Sequence, residues 1–425
     1  MTSDKNRSKK FQILCSILLL VALLLNASGC ATPQQIQAAD LTKGFTSQPV
    51  DGNEIDETFK ENIARFYFDL LTRTIDPDDN ALVSPLSVLV ALSMTANGAA
   101  EDTLTQMETV LGGTITLDEL NRYLYTYLQQ LPTDAKARLS MANSIWFRDD
   151  ENRLVVEDDF LQANADFYRA QAYKAAFDQQ TLKDINTWVE EKTEGMIDSI
   201  LEEIRDDAVM YLLNALVFDA EWKDIYRTHQ IQAGEFTGAD GVVYPVEMMY
   251  SEETIYLEGE NYTGFAKPYA GETYYFVALL PEEGVNAYEF LMQQNGASFK
   301  AMLDGTQETL VEAWLPKFSY AYEVSLNDPL IEMGMDQAFS PVLANFLRLG
   351  RSSRGNIFIG DVLHKTFIAV DERGTRAGAV TKVEMRDESY QETKIVHLDR
   401  PFVYAIVESE TGLPVFVGTV MHFAD

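Results

Sequence analysis

The run VMYLLNALVF, Val209 to Phe218, limits what this chain can become more than any other stretch of it. A strand with one face in water alternates apolar and polar residues. This one does not alternate, so it belongs in a sheet that is covered on both faces. The earlier part of the chain supplies helices for such a cover. Phe59, Ile63, Phe66, Tyr67, Leu70 and Leu71 fall on one helical face. In NALVSPLSVLVALSMTANGAA, Ser84 can cap a helix that has Pro85 in its first turn, and Gly98 is placed to end it. A further helix is expected over Leu182–Ile204. Later come TYYFVALLP, TLVEAWLPKF, TFIAV, FVYAIV and LPVFVGTVMHF, rich in β-branched and aromatic residues, with ESETGLP as the turn between the last two. Helices early and strands late predict an α+β fold and not alternating βαβ units. No repeat and no internal linker is visible after about residue 56, so a single large domain is expected.

Acidic residues number 66 against 33 basic ones, a formal net charge of −33. Such a surface repels nucleic-acid phosphates, and it repels an anionic membrane unless a covalent anchor overrides the repulsion. The chain carries no G-x-S-x-G elbow, P-loop, H-E-x-x-H or cysteine-based metal motif. Its four histidines, His229, His364, His397 and His422, are scattered in sequence. Acidic pairs such as Glu190-Glu191 read as a solvated helix face. Neither catalysis, nor a metal, nor a cofactor is expected.

The first thirty residues read as a targeting segment. Lys5, Arg7, Lys9 and Lys10 precede the apolar run Phe11–Leu25, which is short for a membrane-spanning helix, and small residues then lead to Cys30. This is the layout of a signal peptide over residues 1–29. Ala27-Ser28-Gly29-Cys30 is similar to the lipobox of prokaryotic lipoproteins, although that pattern usually has a larger aliphatic residue where Ala27 stands. Lipidation is expected on Cys30, which makes the protein exported and held at the cell surface. Cys15 is the only other cysteine, so the folded part has no disulfide. Residues 30–55, polar and without periodicity, read as a tether, and residues 56–425 as the folded domain.

One polar stretch near the end, VDERGTRAGAVTKVEMRDESYQETK (Val370–Lys394), alternates too regularly for a linker. Thr375, Ala377, Ala379, Thr381, Val383 and Met385 share one side of an extended chain. Arg376, Gly378, Val380, Lys382, Glu384 and Arg386 share the other. The first set is small or apolar and the second largely charged, the composition of a strand able to enter a sheet. Its small residues and glycine give low strand propensity, and Arg386–Thr393 reads as a protease-accessible loop.

With NALVSPLSVLVALSMTANGAA, ANSIWF, INTWVEEKTEGMIDSIL, NALVFDAEW, LPKFS, GDVLHKTFIAVDERGTRAGA and DRPFVYAIVESETGLPVFVGTV in that order, the chain closely resembles the serpins over residues 56–425. The resemblance implies helices packed on three β-sheets with an exposed reactive loop. It implies a suicide inhibitor of serine proteases, with cysteine proteases a lesser target class. The protease acylates itself on the loop, which then inserts as a strand. The hinge carries over to Glu372, Gly374, Thr375, Ala377, Gly378 and Ala379. Arg376 departs from a position commonly acidic in the family, and Val380 is bulkier than usual. The polar cluster beneath the opening sheet carries over to Ser84, Ser87, Asn214 and His364. Trp222 matches the tryptophan where insertion begins, and Lys317 matches a partner of Glu372. Counting from Glu372 places the scissile bond at Glu388–Ser389. Counting back from Pro401 gives Tyr390–Gln391, and Arg386–Asp387 and Asp387–Glu388 also compete. The segment Glu101–Asp134 is acidic where some members carry a basic heparin site, so activation by glycosaminoglycan is not expected. A monomer is expected.

Overall fold

The apolar run becomes the strand Met210–Glu221, set in the middle of an eight-stranded sheet. The computed structural model describes residues 36–134, 136–149, 154–206, 208–353, 355–375 and 393–423. The signal segment, Cys30, the hinge residues Ala377, Gly378 and Ala379, and the candidate reactive residues Arg386, Asp387, Glu388, Ser389 and Tyr390 lie outside the described residues.

Across the large sheet the strands run Ala39–Asp40, Gln171–Ala175, Ala137–Arg148, Met210–Glu221, Gly374–Thr375, Asp361–Val370 and Phe318–Ser325, and an eighth, Thr133–Asp134, pairs with Ala137–Arg148 off this path. A nine-stranded sheet carries the aromatic-rich strands of the second half, including Val243–Glu258, Tyr274–Pro281, Phe402–Glu408 and Pro414–Val420. A third, two-stranded sheet pairs Leu154–Val156 with Gly350–Ser352. The helix Pro85–Ala96 lies under the large sheet with every residue buried, and Ser84 caps it by accepting from the Ser87 N–H. The helix Glu57–Thr74 is capped by Asp56, and its predicted apolar face is buried.

Two sequence expectations are corrected. The helix expected to reach Ile204 ends at Lys192. Glu194 and Gly195 follow with φ of 53° and 74°, a left-handed turn that breaks the helix although the apolar spacing continues. Beyond it, Asn186 Oδ1 accepts from the Ile200 and Leu201 N–H groups and holds the returning chain. The segment read as a tether is part of the folded body from Gln37 onward. Asp184 Oδ2 accepts from the Gln37 and Ala38 N–H groups at 2.9 and 2.7 Å, and Ala39–Asp40 extends the large sheet along Tyr173–Lys174. Leu41 and Phe45 pack on the core, and Asn53 donates its N–H to Arg122. The polar composition of this segment hid a row of backbone and carboxylate partners on other elements.

Candidate functional site

Two neighbouring parallel strands of the large sheet, Met210–Glu221 and Asp361–Val370, pair with each other over four residues only. The ladder joins Asp361 with Tyr211, Val362 with Leu212, Leu363 with Leu213 and His364 with Asn214. Above that contact the strands part, and at the far end Gly374–Thr375 enters between them. Thr375 pairs with Ala220 on one side and Val370 on the other, and Gly374 pairs with Glu221. Positions 215–219 and 365–369 therefore face each other across a gap between a lower contact and an upper one. A sheet opened in this way exposes backbone groups that seek a strand.

The upper contact is built by a tight turn. Asp371 Oδ1 accepts from the Arg373 and Gly374 N–H groups at 2.7 and 3.3 Å, and the Asp371 N–H donates to Gly374 O at 3.0 Å. At Gly374 a Cβ would meet Ala220 O at 1.9 Å, so no side chain fits there. Trp222 holds the turn from below. Its Nε1 donates to Asp371 O at 2.9 Å, its backbone N–H donates to Arg373 O at 2.8 Å, and its ring stacks on Tyr269 at 4.5 Å. Tyr226 N–H adds a bond to Glu372 O at 2.8 Å. Thr375 is 2% exposed, with its hydroxyl 2.5 Å from the Tyr269 hydroxyl, so this parity of the segment faces inward. On the surface Lys317 Nζ lies 2.8 Å from Glu372 and 3.3 Å from Glu247. The Lys317 hydrogen bond lowers the Glu372 carboxyl below its ordinary range. Burial opposes charge on Lys317, but its bonds to Glu372 and Glu247 outweigh it and raise the ammonium. The pair is half-exposed and contributes less than about 1 kcal/mol.

The lower contact is a buried polar cluster. The Ser84 N–H donates to His364 Nε2 at 3.1 Å, and Ser87 Oγ donates to Ser84 O at 2.9 Å. Asn214 Nδ2 donates to Asn143 Oδ1 on the neighbouring strand. Burial pushes the His364 imidazole down to about 4, so it is neutral at physiological pH. Because Nε2 accepts, the ring proton sits on Nδ1. His364 Nδ1 and Asn214 Oδ1, a donor and an acceptor, are both buried without a hydrogen-bond partner among the described residues. Two such groups side by side at one strand contact call for an explanation.

The structure thus gathers Ser84, Ser87, Asn214 and His364 at the lower contact, and Glu372, Gly374, Thr375, Trp222 and Lys317 at the upper one. Sequence reasoning did not single out Tyr269, Tyr226 or Asn143. It also missed a buried ion pair behind Trp222. Lys267 Nζ lies 2.6 Å from Glu253 Oε1, and it sits 4.5 Å from the Tyr226 ring and 5.6 Å from the Trp222 ring. Burial opposes the charge on Lys267, but Glu253 outweighs it and raises the ammonium, which supports the wall on which the hinge rests.

An unfinished sheet, with a chain segment seated at the mouth of its gap, defines a protein whose central sheet has room for a further strand. The chain belongs to the serpin family: the family model, described as serine protease inhibitor, matches residues 61–423. The family points to protease inhibition and not to catalysis, with serine proteases as the kind of partner, although some members are non-inhibitory. An uncharacterised serpin-like protein of Thermococcus kodakarensis is 29% identical, with 96% of this chain and 99% of that one covered. The native form of the thermophilic serpin tengpin is 47% identical, covers 91% of this chain and 100% of its own, and superposes with a TM-score of 0.88. Its latent form, at the same 47% identity with 88% and 100% covered, reaches 0.79. The closer match to the native form accords with the open gap.

Proposed function

We propose that this serpin is a suicide inhibitor of extracellular serine proteases, exported and anchored through Cys30, whose loop is cut at Glu388–Ser389 and inserts into the gap. The observation that carries the reading is the gap itself, with Thr375 already inside its mouth. Extending the Thr375 register down both edges gives a single answer. Ala377 comes between Phe218 and Ile368, Ala379 between Leu216 and Thr366, and Thr381 between Asn214 and His364. Phe218, Ile368, Leu216 and Thr366 are all buried, so the inward positions admit only small residues, which the sequence supplies. Arg376, unusual for the family, comes opposite Asp219 and faces outward. The two edges agree that five residues, 376–380, fill the gap before the lower contact must part.

At that contact Thr381 brings a hydroxyl that can accept from His364 Nδ1–H and donate to Asn214 Oδ1. The two unpartnered groups then find the partner they lack in the open state. Thr375 to Glu388 is 13 steps, about 43 Å of extended chain. A protease acylated at Glu388 is carried that far by insertion before water can release it. About ten new ladder bonds at about 0.5–1.5 kcal/mol each supply on the order of 10 kcal/mol.

The test is incubation with serine proteases of acid, large-apolar and trypsin-like specificity, followed by denaturing gel electrophoresis and mass spectrometry of the released fragment. The expected result is an SDS-resistant covalent complex and a fragment beginning at Ser389. Clean cleavage by every protease with no complex would instead mark a serpin-fold binding protein.

A further inference from the structure

We propose that Lys267 and Glu253, the buried ion pair behind Trp222, are positioning residues for the hinge. They fix the aromatic residues that hold Gly374–Thr375 in register at the mouth of the gap. The wall around the hinge binds it through three such residues. Trp222 donates from Nε1 to Asp371 O and from its backbone N–H to Arg373 O, Tyr226 donates its N–H to Glu372 O, and the Tyr269 hydroxyl meets that of Thr375. All three are gathered near one ammonium. Lys267 Nζ lies 4.5 Å from the Tyr226 ring centroid and 5.6 Å from that of Trp222. Tyr269, which stacks on Trp222 at 4.5 Å, follows Lys267 by two positions in the chain. The same short segment ties the two large sheets together: the Lys223 N–H donates to Pro268 O at 3.0 Å, and the Ala270 N–H donates to Glu221 O at 2.8 Å.

Packing does not ask for charge in this corner. Lys267 and Glu253 are 1 and 6% exposed, and Trp222 meets Phe276 edge-on at 5.8 Å beside them. A buried ion pair often stabilises a fold no more than apolar side chains of the same volume. What apolar side chains do not supply is direction. A cation is drawn to the face of an aromatic ring, and its hydrogen bond to a carboxylate fixes where it sits. Glu253 is itself held: Ser251 Oγ donates to its Oε1 at 2.6 Å, the oxygen that Lys267 Nζ also reaches at 2.6 Å, and Ser251 Oγ lies 3.3 Å from the Tyr226 hydroxyl. The charges on the neighbouring surface pair with one another, Lys223 with Glu272, Lys136 with Glu221, and Lys317 with Glu372 and Glu247. Asp224 adds to the attraction on Lys267 but less than Glu253 does.

The inference deepens the proposed function and rests on it. A hinge already in register begins insertion from Thr375 without a search, so the loop enters before water releases the acylated protease. A loosened wall leaves cleavage of the loop intact and slows its entry. More of the protein is then consumed as an ordinary substrate.

The test uses the whole protein in two variants. Lys267→Met/Glu253→Leu removes both charges and leaves neither unpaired, and Ser251→Ala removes one bond to Glu253. Amide exchange at Trp222, Tyr226 and residues 373–375 should quicken at least about tenfold in the double variant and about threefold in Ser251→Ala, with the strand Ala137–Arg148 unchanged in both. With a protease that forms the covalent complex, the ratio of cleaved inhibitor to complex should rise at least about threefold, while the rate at which the loop is attacked stays within about twofold. A role in packing alone would quicken exchange in the sheet together with the hinge and leave that ratio where it was. Unchanged hinge exchange overturns the proposal, and so does quickening that Ala137–Arg148 shares, or an unchanged ratio. Should the double variant not fold, Ser251→Ala decides. If the parent protein forms no complex with any protease, the insertion reading fails, and the exchange rates still decide whether the pair positions the hinge.

Discussion

His364 and Asn214 make the lower contact polar where packing alone would make it apolar. The His364 imidazole is held at about 4 in the fold, against about 6.5 when unfolded, because burial disfavours its charge. Stability linked to it is complete above about pH 6.5 and is lost as pH falls toward 4, by up to about 3 kcal/mol. Denaturant unfolding measured from pH 8 to 4 should show this loss, and His364→Gln should flatten it. A second prediction concerns the incoming partner: Thr381→Val should destabilise the loop-cleaved form by about 1–3 kcal/mol and leave the uncut form unchanged in melting experiments. That Ser84, Ser87, Asn214 and His364 meet, and that Glu372, Gly374 and Thr375 lie beside Trp222, was legible in the sequence because these residues sit inside long ordered motifs. Tyr269 was not, since its partner Thr375 is 106 residues away and an aromatic at a strand end has no distinguishing context. Lys267 and Glu253 were hidden for the same reason: a lysine and a glutamate in strand-like stretches read as solvent-facing.

At the level of elements, the hinge succeeds only if its inward side chains pass between buried walls. Ala377→Arg would set a charged side chain between Phe218 and Ile368, so cleavage should continue while covalent complex falls at least about tenfold, read by gel densitometry at fixed protease. The N-terminal strand offers a separate check. Asp184→Ala removes the carboxylate that holds two backbone amides, at roughly 1.5–3 kcal/mol per charged bond, and exchange of residues 37–41 should quicken at least about tenfold with Ala137–Arg148 unaffected. The helix start at Ser84 was legible, and its side chain caps that helix as expected, whereas the cap at Asp56 was not read from the sequence. The end at Lys192 was not, because apolar spacing persisted through Gly195. Nor was the docking of residues 37–55, which depends on Asp184 and Arg122 and not on any periodicity of its own.

At the scale of the whole molecule, the proposed function makes the large sheet one strand short of its most stable arrangement. Cutting the loop anywhere within Arg386–Tyr390 frees it to enter, and the melting temperature of the nicked protein should rise well above that of the intact one. Unchanged melting after a verified cut would falsify the insertion reading. The fold class was readable from chain order alone, helices before strands, whereas the open gap was not, since no residue pattern records a pairing that is absent. The depth of that gap has a further meaning. On the insertion reading, five residues would enter before the ladder of Asp361–His364 with Tyr211–Asn214 is disturbed. A sixth step, at Thr381, would part Asn214 and His364. On that reading, commitment is delayed until a severed end makes it permanent, and the intact protein is protected from inserting its own loop before it is cut.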